Sequence, residues 1–179
     1  NTLDALYKIA QYKRSLYNIP VIAITGSVGK TSTKDLISSV VQTKYKTLKT
    51  EGNYNNNIGL PFTILKLKDH EAMVIEMGMN HFREISLLTN IAHPTISVIT
   101  NIGTSHIGNL GSRENILKAK LEILEGMNDP KIIINNDNDL LHKWYEENNN
   151  HIEIHTYGIE NDSEFLAKNI KLQEDSSIF

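Results

Sequence analysis

The residues with the clearest chemical pattern form a glycine-rich turn, Thr25-Gly-Ser-Val-Gly-Lys-Thr-Ser32. The turn follows a short apolar run and begins a helical pattern, which is the setting of a phosphate-binding loop. Backbone N–H groups of such a loop face an anion, and the start of the following helix adds partial positive charge. Lys30 can reach the outer phosphates of a nucleotide, and the hydroxyl of Thr31 suits Mg²⁺.

The spacing of this loop departs from the general phosphate-loop pattern. That pattern places its first glycine at position 24, where this sequence has Ile24, and Gly26 stands closer to the lysine. An ordinary glycine-rich turn with a solvated lysine is therefore the alternative. The strand before the loop, the helix after it and the adjacent Lys30 and Thr31 favour phosphate binding.

A second chemical signal is a lysine on the apolar face of a predicted helix at 113–127. At about 100° per residue, Lys120 falls among Ile116, Leu117, Leu121, Ile123 and Leu124, whereas Lys118, Glu122 and Glu125 fall on the other side. A lysine in this position usually extends along its alkyl stem to reach water. The alternative is a partly desolvated amine with a lowered pKa, which is reactive in its neutral form.

Two more polar residues stand close to the ends of apolar runs. Glu76 ends the run 72–76, and His106 closes the segment 100–106 that leaves another run. Ligands of open α/β sheets bind where the strands end, so both residues are candidates for a site. A salt-bridged strand end for Glu76 and a surface position for His106 are the alternatives.

The elements that must position these residues alternate between strands and helices. Short apolar runs predict buried strands at 20–25, 72–76, 96–100 and 131–135, and helical patterns lie between them at 31–41, 82–91, 113–127 and 137–148. A helix is predicted at 2–17, with Lys8, Lys13 and Arg14 off its apolar face, and further strands at 152–157 and 165–172. This order is typical of an α/β fold, a mostly parallel sheet with helices on both faces, similar to phosphate-loop nucleoside triphosphatases.

The composition excludes several classes of protein. With 179 residues, 40% hydrophobic and 22% charged, the chain is neither disordered nor fibrous, and one domain is expected. The absence of cysteine excludes a disulfide framework, a thiolate metal site and a cysteine nucleophile. A net charge of −3 predicts no nucleic-acid partner, and the three lysines of the run 44–49 are better explained as a solvated strand edge.

No apolar run is long enough to span a bilayer, and the N-terminal residues lack the core of a signal peptide. We therefore expect a cytoplasmic protein.

Five stretches together resemble the ATP-dependent Mur ligases of peptidoglycan assembly. They occur in the family's order and spacing at 24–34, 52–61, 75–80, 100–106 and 118–122, and the resemblance extends from residue 2 to residue 157. Within the family the chain is most similar to members that add D-alanyl-D-alanine to UDP-N-acetylmuramoyl-tripeptide. Arg83 departs from those members, which usually have glycine there, and it can alter a turn near the substrate.

The resemblance implies a role for each matching residue. It implies that the ATP phosphates are held by Gly26, Ser27, Gly29, Lys30, Thr31, Ser32 and Asn57. Thr31 and Glu76 match the ligands of one Mg²⁺, and His106 matches a ligand of a second. Lys120 matches a lysine that the family carries as a carbamate formed with CO₂, which helps to hold the second Mg²⁺. Lys30, His106 and Lys120 are the residues implied in catalysis, and the role of Asn135 and Asp137 stays open.

The resemblance implies a reaction that makes an amide. A substrate carboxylate attacks the γ-phosphate of ATP to give an acyl phosphate, and the amine of D-alanyl-D-alanine then displaces the phosphate. We expect a monomer in which residues 1–18 form a leading helix or linker and residues 19–179 form the ATP-binding central domain, incomplete at its C-terminus. Without the family's N-terminal and C-terminal substrate domains, we expect this chain alone to be inactive as a ligase.

Other functions remain open at this point. One is a Mur-type ligase that adds a different amino acid, or a relative of folylpolyglutamate synthase or cyanophycin synthetase, against which the stretches 51–61 and 75–85 argue. Another is a nucleotide-binding module without ligase activity. Such a module would keep Lys30 and Thr31 but would not need His106 and Lys120 together.

Overall fold

Seven strands, rich in β-branched residues, form one parallel sheet in the computed structural model, which describes residues 1–173 and 176–178. They are β1 (Val21–Thr25), β2 (Thr47–Lys49), β3 (Ala72–Glu76), β4 (Ile96–Ile99), β5 (Lys131–Asn135), β6 (Glu153–Gly158) and β7 (Phe165–Leu166), in the order β2-β3-β1-β4-β5-β6-β7. A separate antiparallel pair joins β8 (Lys171–Leu172) and β9 (Ser177–Ile178). All five residues of β3 are buried, as expected of a strand covered on both faces.

The helices pack on both faces of this sheet. They are α1 (Thr2–Ser15), α2 (Lys30–Val41), α3 (Gly59–Leu65), α4 (Glu84–Ala92), α5 (Ile107–Leu110), α6 (Arg113–Leu121) and α7 (Asp139–Asn148). The larger part of the core joins one sheet face to α1, α3, α4, α6 and α7. A smaller cluster of Ile24, Val74 and Val98 packs against Ile37 of α2 on the other face. The predicted α/β fold is confirmed.

The position of β1 in the sheet creates a crevice. Strand β1 pairs with β3 on one side and with β4 on the other. The chain runs from β1 to β2 and β3 on one side of β1 and then crosses to β4 on the other side. Open α/β sheets bind ligands at such a switch point. The loop after β1, Glu76 at the end of β3 and the segment after β4 meet at this edge.

The helix predicted at 113–127 is wrong in its last part. Helix α6 ends at Leu121, and a 3₁₀ helix continues over Glu122–Gly126. Glu122 is buried rather than on the outer side, since its carboxylate accepts the backbone N–H groups of Arg83 at 2.8 Å and Ser86 at 3.1 Å. The change of helix type turns this carboxylate towards the start of α4.

Other boundaries differ by smaller amounts. Helix α4 begins at Glu84 because Arg83 has a left-handed backbone, with φ of 72°. The strand predicted at 165–172 is two short strands, β7 and β8, while the end of the polar tail at 174, 175 and 179 lies outside the described residues. Helices α3 and α5 have no counterpart in the sequence prediction. The edge strand β2 confirms the strand-edge interpretation of 44–49.

No helix among the described residues combines the length and apolar character needed to cross a membrane.

Candidate functional site

A cavity of about 320 Å³ opens at the carboxyl edge of the sheet, beside the loop after β1. Five of the residues singled out by sequence line it: Gly26, Lys30, Asn57, His106 and Lys120. The cavity is also lined by polar residues that the sequence analysis did not single out, among them Asn55, Asn56, Asn80 and Glu84. The topology thus brings together residues that lie up to 94 positions apart in the chain, from Gly26 to Lys120.

The loop after β1 fits tightly against the end of β4. A Cβ atom at Gly26 would lie 1.9 Å from the hydroxyl oxygen of Thr100, so a side chain at position 26 would collide with it. Gly29 has a left-handed backbone, with φ of 80°, and caps α2. The ammonium group of Lys30 donates to the Gly26 carbonyl at 3.0 Å, which holds it over the loop. The first N–H groups of α2 have no intrahelical acceptor and can meet an anion here.

Glu76 joins the loop to the neighbouring strand. Its Oε2 accepts a hydrogen bond from the Thr31 hydroxyl at 2.9 Å, and its Oε1 accepts one from the Asn55 amide at 2.7 Å. Glu76 is only 2% exposed, and no lysine, arginine or histidine of the described chain pairs with it. The salt-bridge alternative for Glu76 is therefore not what the structure contains. A hydroxyl beside a buried carboxylate offers suitable oxygen ligands for a hard cation.

Lys120 is buried in the wall of the same cavity. It is 2% exposed, and no carboxylate pairs with its ammonium group in the part of the chain that the structure describes. Burial, followed by the positive charge of Lys30, lowers the pKa of Lys120 to about 7. Much of this amine is therefore neutral near neutral pH, in contrast to a lysine that extends to water.

His106 reaches the cavity from the segment after β4. Its backbone is left-handed, with φ of 66°, and it immediately precedes α5. Desolvation, followed by the positive charges of Lys120 and Lys30, lowers the pKa of His106. The imidazole is therefore mainly neutral at pH 7 and has a ring nitrogen free for a metal or a proton.

Three other residues of the sequence prediction, Ser27, Ser32 and Asp137, do not line the cavity. Ser27 is a buried residue of the loop, and its hydroxyl oxygen accepts the Gly103 N–H at 2.9 Å. Ser32 is exposed in the first turn of α2. The carboxylate of Asp137 accepts three backbone N–H groups of residues 159–161, at 2.6 to 3.1 Å, and so fastens the turn after β6. This contact gives Asp137 a structural position outside the cavity lining.

The described residues contain no group of three or more His, Asp or Glu side chains that could hold a metal ion by themselves. The pairs expected from sequence are Thr31 with Glu76, which are in contact, and His106 with Lys120, which line one cavity. Two protein ligands leave coordination positions that phosphate oxygens and water commonly fill around Mg²⁺.

Comparison with known protein families identifies the family of this chain. A family model described as Mur ligase middle domain matches residues 24–179. The chain belongs to the Mur ligase family. The resemblance expected from the sequence is confirmed.

Individual Mur ligases are similar to this chain in sequence and structure over nearly all of its length. It is 41% identical over 181 residues to the UDP-N-acetylmuramoyl-tripeptide--D-alanyl-D-alanine ligase of Bacillus subtilis (strain 168), a match that covers 100% of this chain and 38% of the relative. The crystal structure of MurF from Acinetobacter baumannii matches with a TM-score of 0.91 and 34% identity, over 99% of this chain and 39% of that one.

A third Mur ligase was solved with a nucleotide. The structure of the MurF ligase of Thermotoga maritima in complex with ADP matches with a TM-score of 0.90 and 31% identity, over 99% of this chain and 41% of that one. This chain therefore spans about two fifths of the length of the relatives it matches.

Proposed function

We propose that this chain is the ATP-binding part of a ligase that adds D-alanyl-D-alanine to UDP-N-acetylmuramoyl-tripeptide. The observation that carries the proposal is a cavity lined by Gly26 and Lys30 of the phosphate loop and by the buried Lys120, with the Thr31–Glu76 contact at the start of the helix after that loop. The identity of 41% to the Bacillus subtilis ligase supports the choice of substrates. Since the chain spans 38% of that relative, the activity belongs to a longer protein.

ATP is proposed to bind with its phosphates on the loop after β1. The N–H groups at the start of α2 and the ammonium group of Lys30 provide donors and positive charge for the phosphate oxygens. Asn57 lines the cavity nearby and can donate its amide to the same group. The ADP bound by the Thermotoga maritima relative supports this assignment.

The side chains of the cavity fit Mg²⁺. Thr31 and Glu76 present oxygen atoms 2.9 Å apart and would hold one ion. His106 and Lys120 would hold a second, provided that Lys120 is first made anionic. When bound, Mg²⁺ supplies positive charge that offsets the charge of the phosphate oxygens.

Lys120 has the properties that carbamate formation requires. Its pKa of about 7 leaves much of the amine neutral, so its nitrogen lone pair can attack the carbon of CO₂. A new N–C bond forms, the nitrogen loses one proton to water, and the product is a carbamate anion. This step converts a buried amine without a carboxylate partner in the described chain into an anionic oxygen ligand.

The proposed reaction has two steps, and the chain contributes mainly position and charge. The tripeptide carboxylate attacks the γ-phosphorus of ATP, which releases ADP and forms an acyl phosphate. The amine of the dipeptide then attacks the acyl carbon and expels phosphate. Lys30 offsets the charge that develops on the transferred phosphoryl group.

The experiment has two levels. Calorimetry on the 179-residue chain should detect binding of Mg·ADP, with loss in Lys30→Ala and little change in Lys44→Ala, an exposed lysine elsewhere. In the longest natural protein that contains the chain, phosphate release from ATP should require UDP-N-acetylmuramoyl-tripeptide and D-alanyl-D-alanine together and yield the pentapeptide product. Nucleotide binding without release for this pair would contradict the substrates; release with a single amino acid would indicate a sibling ligase.

We infer a cytoplasmic reaction for this protein, because the proposed substrates are ATP and a UDP-linked precursor. The monomeric state and the lack of a nucleic-acid partner stay predictions, which light scattering and a DNA-binding titration can check.

A further inference from the structure

The segment after β4, residues 100–106, forms several hydrogen bonds with the phosphate loop. The Thr100 hydroxyl donates to the Val28 carbonyl at 2.6 Å, and the Gly103 N–H donates to the Ser27 hydroxyl at 2.9 Å. The same segment ends at His106, which lines the cavity. The loop and His106 are therefore joined by a few residues of one short segment.

Asn101 makes the central contact of this segment. Its side-chain Oδ1 accepts the backbone N–H groups of Ser27 at 3.1 Å and of Val28 at 2.9 Å. The Ser27 N–H also lies 3.1 Å from the backbone carbonyl of Asn101. The Val28 N–H thus depends on the side chain of Asn101, whereas the Ser27 N–H has a backbone acceptor as well.

These contacts decide which N–H groups of the loop are free. A phosphate loop binds its ligand through inward-facing N–H groups, and here two of them point to an amide oxygen instead. The N–H groups of Gly29 and of the first turn of α2, next to Lys30, remain available to a ligand.

We propose that Asn101 is a positioning residue that holds the loop in the shape in which the nucleotide phosphates meet the N–H groups of residues 29–32. The inference rests on the proposed nucleotide binding. An amide suits this role because its oxygen accepts two N–H groups without adding negative charge beside the phosphates.

Two variants and one control test the role of Asn101 in the 179-residue chain. Asn101→Ala removes the acceptor, and Asn101→Asp keeps an acceptor of the same shape but adds a negative charge. Asn138→Ala is the control, since Asn138 donates to the Ile102 carbonyl of the same segment at 3.1 Å without touching the loop. Amide hydrogen exchange of Val28 and Ser27 by NMR, without nucleotide, and the affinity for Mg·ADP are measured for each.

In Asn101→Ala we expect exchange at Val28 to rise about 10-fold and to rise less at Ser27, with Mg·ADP bound about 10-fold more weakly. Asn101→Asp should keep the protection of Val28 and still bind Mg·ADP more weakly, because the added charge repels phosphate. The control should change neither quantity. The different response of two adjacent amides is a result that general destabilisation would not give.

Two results would overturn the role of Asn101. One is an unchanged exchange rate at Val28 in Asn101→Ala. The other is an Asn101→Ala variant that binds Mg·ADP as tightly as the parent chain or more tightly, because the side chain would then compete with the phosphates. If Asn101→Ala does not fold, Asn101→Asp still decides, since loss of Val28 protection there contradicts the proposal. A parent chain that binds no Mg·ADP would contradict the proposed function, while the exchange rates would still decide whether Asn101 holds the loop.

Discussion

Two buried cations lie at opposite edges of the sheet and have opposite surroundings. Arg14, at the end of α1, is 7% exposed and donates to the carbonyls of Ala92 at 2.7 Å, Tyr17 at 2.5 Å and His93 at 3.3 Å. Lys120, at the carboxyl edge, is 2% exposed and pairs with no carboxylate of the described chain.

The difference separates a structural cation from the cation that we propose to be functional. Arg14 joins α1 to the end of α4 and satisfies three carbonyl groups that would otherwise lose their hydrogen bonds. Lys120 costs folding free energy, because its burial is not offset by a partner, and this is the environment that yields a neutral, reactive amine. Burial alone therefore does not reveal a site, whereas burial without partners does.

The largest expected effect concerns the chemistry of Lys120. In the full-length natural protein that contains this chain, Lys120→Ala should lower the rate of ligation about 1,000-fold or more, because the proposed carbamate ligand of the second Mg²⁺ could not form. Small carboxylates added to the assay should restore part of the rate. Lys118→Ala, on the exposed side of α6, is the matched control and should keep full activity. Normal activity of Lys120→Ala would show that ligation does not need Lys120, and the proposed contrast with Arg14 would be wrong.

The variant Arg14→Ala tests the structural role of Arg14. Loss of the guanidinium leaves three carbonyl groups unsatisfied, so the free energy of unfolding should fall by about 2–4 kcal/mol. Urea denaturation measures this change, and Lys8→Ala on the exposed side of α1 should change it by less than about 0.5 kcal/mol. Binding of Mg·ADP by the folded fraction should be unaffected. An Arg14→Ala chain as stable as the parent would show that Arg14 does not hold α1 in place.

Lys120→Met should raise stability, in contrast to Arg14→Ala. An apolar side chain of similar length removes the buried charge, and we expect a gain of about 1–4 kcal/mol in the free energy of unfolding at about pH 6. The folded pKa of Lys120 is about 7 against an ordinary value of 10.5, so the unfolded chain binds more protons between these values. The parent chain therefore gains stability as pH rises from about 7 to about 10.5, and the advantage of Lys120→Met shrinks over the same range. Urea denaturation at several pH values measures these changes, with Lys118→Met as the control. A Lys120→Met chain that is less stable than the parent at every pH would contradict the prediction.

The smallest expected effect is on His106. Desolvation and then the charges of Lys120 and Lys30 lower its pKa, so an NMR titration should place its midpoint below the ordinary value for histidine. Lys120→Met removes one of these charges and should shift the midpoint upward, while Lys118→Met should leave it unchanged. A midpoint that does not respond to Lys120→Met would show that the two side chains do not share one electrostatic environment.

Much of the fold and part of the site could be predicted from the sequence. Apolar runs of five or six residues separated by helical patterns predict a parallel α/β sheet, and the ends of such strands identify Glu76 and the segment that carries His106. Helical periodicity placed Lys120 on an apolar face, and the structure buries it there. These inferences succeed because they rest on patterns within about fifteen residues.

Helical periodicity gave the wrong side-chain burial where a residue far away in the chain supplies the hydrogen-bond partner. Arg14 was predicted to lie off the apolar face of its helix, but it is buried with Ala10 because carbonyl groups 78 and 79 positions away accept its hydrogen bonds. Glu122 turned inward for the start of α4, 36 to 39 positions away. Spacing shows which residues share a face, but it does not show which neighbour that face meets.

The sequence by itself determined the phosphate loop, the alternation of elements and the family resemblance, since each depends on residue types at fixed spacing. Tertiary structure alone decided that Asn55 contacts Glu76 at 2.7 Å, that Asn101 holds the loop and that Lys120 has no carboxylate partner within the described chain. The physical reason is that hydrogen bonds and desolvation act over a few ångströms in space. Chain separation carries no information about such distances until the sheet has brought the strand ends together.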